Sequence, residues 1–396
     1  MNRQTLQSIA AILLGRLVIN ITKRFPYPFV SAIALNFAVP VTSIQNLIAL
    51  SNGMGLLSPL LGTISERYGR KPIMLIILMA MAGISFIGAM FTTYGIFVIA
   101  ILAFSIGKII YDPTFQAYLG DVVPFKQRAR MMGVVELSWA FSLVIAAPVV
   151  GFLLDTSTMQ AVFIFMGIAL TLGAIGIWLF IESDVKSKSE RQSIKFISPL
   201  MTFRLISQEP TAMFALLFAI CLTISHEIFF INYGLWMEQS FELVLTALGT
   251  VTIVIAIAEI IGEFVVILLA DKIGTKRTSL SGMIVATIMF AIIPSLSSSL
   301  PLALFGIFVM FIGIETAIVA SFPLFTEILP NARAVMMSAN MGAHSLGRVL
   351  GAMLGGIIYA MTGGNFIVVG IVASVIGALA FIILWRFIPI SKETVA

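Results

Sequence analysis

Eleven charged side chains interrupt otherwise apolar stretches of this sequence: the basic Arg16, Lys23, Arg24, Lys108 and Arg348, and the acidic Asp112, Glu136, Glu227, Glu259, Glu263 and Glu315. Their spacing suggests particular chemistry. Arg16, Asn20, Lys23 and Tyr27 fall within about 60° of one another at 100° per residue, so a helix through them carries one polar stripe with Arg24 at its edge. Lys108 precedes Asp112 by four residues, the separation at which a helix can close an ion pair. Glu259 and Glu263 share that separation, and two acids on one face disfavour simultaneous ionisation, which suits groups that load and release a proton. Pro26 and Pro28 predict a helix break just past Lys23 and Arg24, with carbonyls left free as where backbone lines a cavity.

Other chemistries find no support in the residue types. The one cysteine, Cys221, allows no intramolecular disulfide, and the two histidines, His226 and His344, are far apart without a zinc motif. No HExxH, G-x-S-x-G or Walker loop is present, so a metal or serine hydrolase and an ATP-driven pump are not expected, and no cofactor is implied.

The elements that position these charges follow from composition. With 60% hydrophobic and 10% charged residues, the chain has too much apolar surface for a water-soluble fold. Hydrophobic runs between short charged clusters predict an all-α membrane protein of twelve spans, near 7–38, 43–65, 72–92, 95–119, 131–154, 159–181, 211–236, 243–270, 277–296, 301–327, 335–361 and 365–388. The first run is too long for a signal h-region and holds Arg16, Lys23 and Arg24, so it reads as a true span. At roughly 2.5–3.5 kcal/mol per charge near the bilayer centre, eleven charges facing lipid would cost on the order of 30 kcal/mol, so they are expected to face protein or a wet cavity.

Basic residues fix the expected orientation. One set of connections contains Arg67, Arg70, Lys71, Lys126, Arg128, Arg130, Lys186, Lys188, Arg191, Lys195, Arg204, Lys272, Lys276, Arg277 and Arg333; the other set, around Pro40, Thr93, Thr156, Gln239, Ser298 and Gly364, has none. Both termini are expected in the cytoplasm, and the orienting role of these clusters accounts for the net charge of +5 without a nucleic-acid partner. The polar stretch between Glu182 and Pro210 suggests a half over 1–182, a linker over 183–210 and a second half over 211–396. An internal repeat supports the division: Glu66-Arg67-Tyr68-Gly69-Arg70-Lys71 matches Asp271-Lys272-Ile273-Gly274-Thr275-Lys276, while Asp121-Val122-Val123-Pro124 matches Glu327-Ile328-Leu329-Pro330 and Gly107 matches Gly313.

The run Gly62-Thr63-Ile64-Ser65-Glu66-Arg67-Tyr68-Gly69-Arg70-Lys71 resembles the signature loop of the major facilitator superfamily, with Glu66 for the usual aspartate and Ile267 for the leading glycine of the second copy. Span number, central loop and loop positions agree with that family over essentially the whole chain. Physically, Gly62 lets helices approach, Gly69 permits a tight turn, and Arg67, Arg70 and Lys71 hold the turn on the cytoplasmic side. The resemblance implies that Glu66 latches onto the cytoplasmic start of span eleven, a site suited to a carboxylate. Asp271, Gly274 and Lys276 form the corresponding gate in the second half.

The resemblance also implies a central cavity lined by spans one, four, seven and ten. Lys23, Arg24, Lys108, Asp112, Glu227 and Glu315 would face it, with Tyr27, Tyr111, His226 and Arg348 beside them, and Glu227, Glu259, Glu263 and Glu315 are the candidate proton carriers. Away from the span ends, the first-half spans hold four basic and two acidic residues against one and four in the second half, so the cavity would be electrically asymmetric. Ala146-Ala147-Pro148-Val149-Val150-Gly151 is similar to the Gly-Pro-x-x-Gly-Gly element of the drug/proton antiporter group, although Ala103 stands where that group has an arginine in span four. Paired gating loops favour alternating access over a channel or scramblase.

The expected function is proton-coupled efflux of a small lipophilic or cationic compound, drawn to those acids and to Phe229, Phe230, Tyr233 and Trp236. The alternative is a proton-coupled carrier of an organic anion or anionic lipid held by Lys23, Arg24 and Lys108. The protein is expected to act as a monomer in the plasma (cell inner) membrane.

Overall fold

The computed structural model describes residues 3–61, 64–123, 125–181, 206–329 and 333–389, and these are helices joined by short turns with no strand among them. In lipid every backbone N–H and C=O must be satisfied within the chain, and helices do this span by span. The first-half spans are Arg3–Arg24 with Val30–Asn36, then Val41–Gly53 continued by Met54–Leu57, Ser58–Leu61 and Ile64–Tyr68, then Arg70–Met90, Tyr94–Val122, Phe125–Thr156 and Met159–Phe180. The second-half spans are Pro210–Phe230 with Tyr233–Phe241, Leu245–Val251 with Ile253–Ile273, Thr275–Ile292, Leu300–Ile328, Arg333–Met361 and Phe366–Phe387.

Ten of these helices or helix pairs are long and apolar enough to cross a membrane, and Val30–Asn36 with Val41–Leu57, bent by 115°, would make an eleventh if read as one broken span. Arg333–Met361 is not among the ten, but its 29 residues are long enough at 1.5 Å each, and it carries Asn340, His344 and Arg348. Helix ends follow sequence signals. Thr93 accepts from the Ile96 N–H at 3.4 Å, Asn365 accepts from the Ile367 N–H at 3.0 Å, and Pro210 opens its helix at the first turn. Gly69 and Gly274, at matching places in the two repeats, have φ of +98° and +87°, which only glycine adopts without strain.

The chain separates into two compact units: Met1–Val39, Leu57–Phe196 and Val244–Thr250 form one, and Pro40–Leu56, Ile197–Leu243 and Val251–Ala396 the other. Each takes a short piece from the opposite half of the sequence. In the first unit, Leu245–Val251 docks on the fifth span, where a Cβ at Gly249 would strike the Ala147 carbonyl and one at Gly151 the Leu245 carbonyl. Asp155 caps this helix, accepting from the N–H groups of Leu245 at 3.3 Å and Thr246 at 2.9 Å. In the second unit, Val41–Gly53 packs along Arg333–Met361. There Gln45 donates to Asn232 at 2.9 Å, and its side-chain oxygen fills the space above Gly356. The resemblance of Ala146–Gly151 to an antiporter element therefore coincides with a close-packing seat.

Candidate functional site

In the first unit the expected polar stripe becomes a compensated cluster. Arg16 donates to Glu136 at 2.7 Å and lies 3.6 Å from Asp112, while Lys108 donates to Asp112 at 2.7 Å, the ion pair its spacing predicts. Arg16 also donates to the Val135 carbonyl at 2.6 Å and sits over the Phe115 ring at 5.0 Å. Asn20 ties the two cations together, accepting from Lys108 at 2.7 Å and donating to Ser138 at 3.4 Å, to which Arg16 also donates. Two cations and Asp112 thus lie between spans one, four and five, with the half-exposed Glu136 at their edge.

Further along the stripe, Lys23 donates to the Ser105 hydroxyl at 3.3 Å. Arg24, buried, donates to the Trp139 carbonyl at 2.9 Å and lies over the Trp139 ring at 4.5 Å, with the Lys108 ammonium 5.4 Å from the same ring. Trp139 is the side chain that sequence reasoning missed. Its place over two cations depends on how span five is rotated, which no apolar period fixes. Tyr27 is buried in the turn over residues 25–29.

One expectation is corrected here. Tyr111 does not line a cavity: it has no exposed surface, its hydroxyl donates to the Ile12 carbonyl at 3.5 Å, and the ring fills the space over Gly15. Pro26 and Pro28 stand where the helix breaks after Arg24, and in the turn the Arg24 and Pro26 carbonyls accept from the N–H groups of Tyr27 at 3.3 Å and Phe29 at 3.2 Å.

In the second unit the acids rest on glycines. A Cβ at Gly262 would come within 2.6 Å of the Glu315 Cβ, so the stem of Glu315 lies against span eight at Gly262, the residue before Glu263. Glu227 lies over Gly351 of span eleven in the same way and accepts from the Asn52 side chain at 3.2 Å. His226, on the neighbouring face of span seven, stacks on Phe230 at 5.4 Å and meets Phe311 edge-on at 5.5 Å. Phe311 and Glu315 are one turn apart on span ten.

The other expected aromatics face elsewhere. Phe229 meets Phe290 and Phe366, Trp236 stacks on Phe366 at 4.8 Å, and the Tyr233 hydroxyl bonds Thr252 at 3.1 Å. All three are buried, and of them Tyr233 also meets Phe230 at 6.3 Å. Arg348 is half-buried on span eleven, one turn from His344.

The loop motif has a counterpart in geometry. Lys71 donates to the carbonyls of Trp178 at 2.9 Å and Ile181 at 2.5 Å, and Lys276 donates to those of Trp385 at 3.0 Å and Ile388 at 2.5 Å. Each lysine therefore caps the C-terminal end of the last span of its half, where helix carbonyls lack partners. Arg67 and Asp271 are exposed, Arg67 lying over Tyr68, and Arg70 is buried. Gly62 and the side chain of Glu66 lie outside the described residues, as does the linker over 182–205. Among the described residues no group of His, Cys, Asp and Glu is arranged to hold a metal ion.

A sequence model described as Major Facilitator Superfamily matches residues 12–242 and 216–395. The chain is 22% identical over 314 residues, 79% of each chain, to the Bacillus subtilis (strain 168) protein described as uncharacterized MFS-type transporter YceJ. It is also 22% identical over 310 residues, 76% of each, to Multidrug resistance protein 2 of the same organism. Among solved structures it is similar in fold to a bacterial homolog of the human lysosomal transporter Spinster, with a TM-score of 0.79 at 15% identity over 98% of both chains. A D-xylose-proton symporter is similar with a TM-score of 0.76 at 15% identity, covering 98% of this chain and 99% of that one.

Proposed function

The chain belongs to the major facilitator superfamily, a family of membrane transporters rather than enzymes, and on that premise we propose that it exports a small lipophilic cation in exchange for protons. The observation that carries this reading is the pairing on span ten of Phe311, packed with His226 and Phe230, with Glu315, whose stem rests on Gly262 of span eight. An aromatic face beside a carboxylate is the chemistry that holds an organic cation, and a carboxylate that releases the cation can take a proton in its place. The likeness to a multidrug resistance protein agrees with this class of substrate.

In this reading the two six-span halves, 1–182 and 211–396, alternate around a shared path. Both termini and the loops of Gly69 and Gly274 face the cytoplasm, and the protein acts as a monomer in the plasma membrane. The alternative, an anion carrier anchored by Lys23, Arg24 and Lys108, is weakened by Lys108, which is already bound to Asp112 at 2.7 Å. Thermal melting of the purified protein with tetraphenylphosphonium or an aryl carboxylate separates the two, because a ligand of the folded state raises the melting temperature. Cation stabilisation, stronger at pH 8 than at pH 6 and lost in Glu315→Gln, is expected. Stabilisation by the carboxylate alone, lost on replacing Lys23 and Arg24, would overturn the reading.

A further inference from the structure

Span two is shared between the units. Its segment Val41–Gly53 belongs to the second unit, and the chain passes to the first between Leu56 and Leu57, inside the 3₁₀ turn Met54–Leu57. A 3₁₀ turn within a longer helix is a common place for a hinge. The segment before the turn lies in a close, polar seat. It runs antiparallel along span eleven: the Gln45 side chain lies over Gly356, a Cβ at Gly53 would approach Val349 to 3.3 Å, and one at Gly55 would strike the Ser345 hydroxyl. From the same segment Gln45 donates to Asn232 at 2.9 Å and Asn52 donates to Glu227 at 3.2 Å, and each of these four residues is at most 4% exposed.

The two hydrogen bonds differ in kind. Gln45 and Asn232 are amides that do not titrate, and Asn232 is fixed further by donating to the Gly355 carbonyl at 3.0 Å. Asn52 instead holds a carboxylate, two residues before the 3₁₀ turn. An N–H bond to an ionised acceptor is about twice as strong as one to a neutral group, so the hold of Asn52 weakens when Glu227 takes a proton. To accept from the neutral acid, the amide would have to turn over. Glu227 is enclosed by Gly351 of span eleven and by Asn52 of span two, and of these two spans it is span two that continues into the other unit.

We propose that Asn52 is a positioning residue that ties the protonation state of Glu227 to the bend of span two. The ionised acid keeps Val41–Gly53 on its seat, and the neutral acid loosens the segment at Met54–Leu57. The proton comes from water that reaches Glu227 while the segment is lifted and returns to water the same way, with no change of oxidation state. Other groups that titrate or carry charge stand on the elements packed against span seven. Span seven itself has His226 beside Glu227 and Glu209 at its N-cap; span eleven brings Arg348, one turn before Gly351, and His344, a turn before that. Span ten brings Glu315 and, in its last turn, Glu327; the one charge of span twelve, Arg386, is in its last turn, and Val41–Gly53 has none.

This inference rests on Glu227 as a proton carrier in the reading above, but no substrate enters its test, so its outcome and that of the cation melting are independent. Amide hydrogen exchange of the full-length protein in lipid nanodiscs is followed in a peptide covering residues 50–61, at pH 8 and pH 5, with labelling times scaled for the intrinsic pH dependence of exchange. Wild type is expected to exchange about tenfold faster at pH 5 than at pH 8 on that scale. Glu227→Gln should exchange at pH 8 as wild type does at pH 5, and Asn52→Leu should do the same with its pH dependence gone. Gln45→Leu loosens the seat without touching the titrating group, so it should raise exchange at both pH values and leave their ratio as in wild type. Equal exchange at the two pH values in wild type overturns the inference. So does a wild-type ratio in Asn52→Leu, which would make the contact structural only, or in Glu227→Gln, which would assign the titration to another group. If Asn52→Leu fails to fold, Asn52→Ser, too short to reach the carboxylate, decides by the same criterion.

Discussion

The two units hold their buried charges in opposite ways. In the first, Arg16 lies within 3.6 Å of Asp112 and 2.7 Å of Glu136, and Lys108 within 2.7 Å of Asp112, with Asn20 and Ser138 adding hydrogen bonds to the two cations. In the second, Glu227 and Glu315 have their stems against glycines of neighbouring helices, Gly351 and Gly262. Opposite charges in contact tie three spans together, since removing Asp112 strands Lys108 away from water and weakens the hold on Arg16. A carboxylate over a glycine seat has surroundings set by how closely two helices approach, so a small shift between them changes its contacts. In the proposed reading the first cluster supplies rigidity and the second the acids that exchange protons.

Three substitutions sharpen or break this contrast. Asp112→Leu should have the largest effect, because it leaves Lys108 without its partner and removes one of the two acids around Arg16. Breaking such a pair costs about 3–5 kcal/mol, and the double variant Lys108→Met/Asp112→Leu should recover part of the loss in melting temperature. Wild-type melting in Asp112→Leu would remove the case for a structural cluster. On span eleven, Gly351→Ala should be destabilising by about 1–3 kcal/mol, since its Cβ would press on Glu227 and on the Ile224 carbonyl at 2.9 Å. Gly342→Ala on the same helix meets nothing within 4 Å and should be neutral or gain about 0.5–1 kcal/mol. Equal melting shifts for this pair would contradict the close seat.

A smaller loss than that of Asp112→Leu belongs to the paired caps. Lys71→Met and Lys276→Met should each lose about 1 kcal/mol, by a similar amount because the same two-carbonyl contact recurs in both halves. A loss confined to one variant would show that the sequence repeat is not a repeat of function.

What the sequence could reveal divides along short and long range. The Lys108–Asp112 pair, the break at Pro26 and the positive-φ glycines of the two loops were legible because each depends on neighbours within a turn or two. The Arg16–Glu136 bond, the Trp139 platform, the Asn52–Glu227 contact and the Lys71 cap join residues about 100 or more positions apart, or depend on how neighbouring helices are rotated. Spans that are apolar on every side leave that rotation undetermined. Tyr111 was misread for the same reason: it lies 100° around the helix from Asp112, under Gly15. Lys71 was read as a topological anchor, and its capping role became visible only once the ends of spans six and twelve were placed.

The central claim is proton-driven export of a lipophilic cation through the carboxylates of the second unit. Its most direct test is accumulation of labelled tetraphenylphosphonium by vesicles containing the purified protein when an inward- or outward-directed proton gradient is imposed. The account predicts saturable accumulation that reverses with the direction of the gradient and is lost in Glu315→Gln. Accumulation indifferent to the gradient, or unchanged in Glu315→Gln, would contradict it.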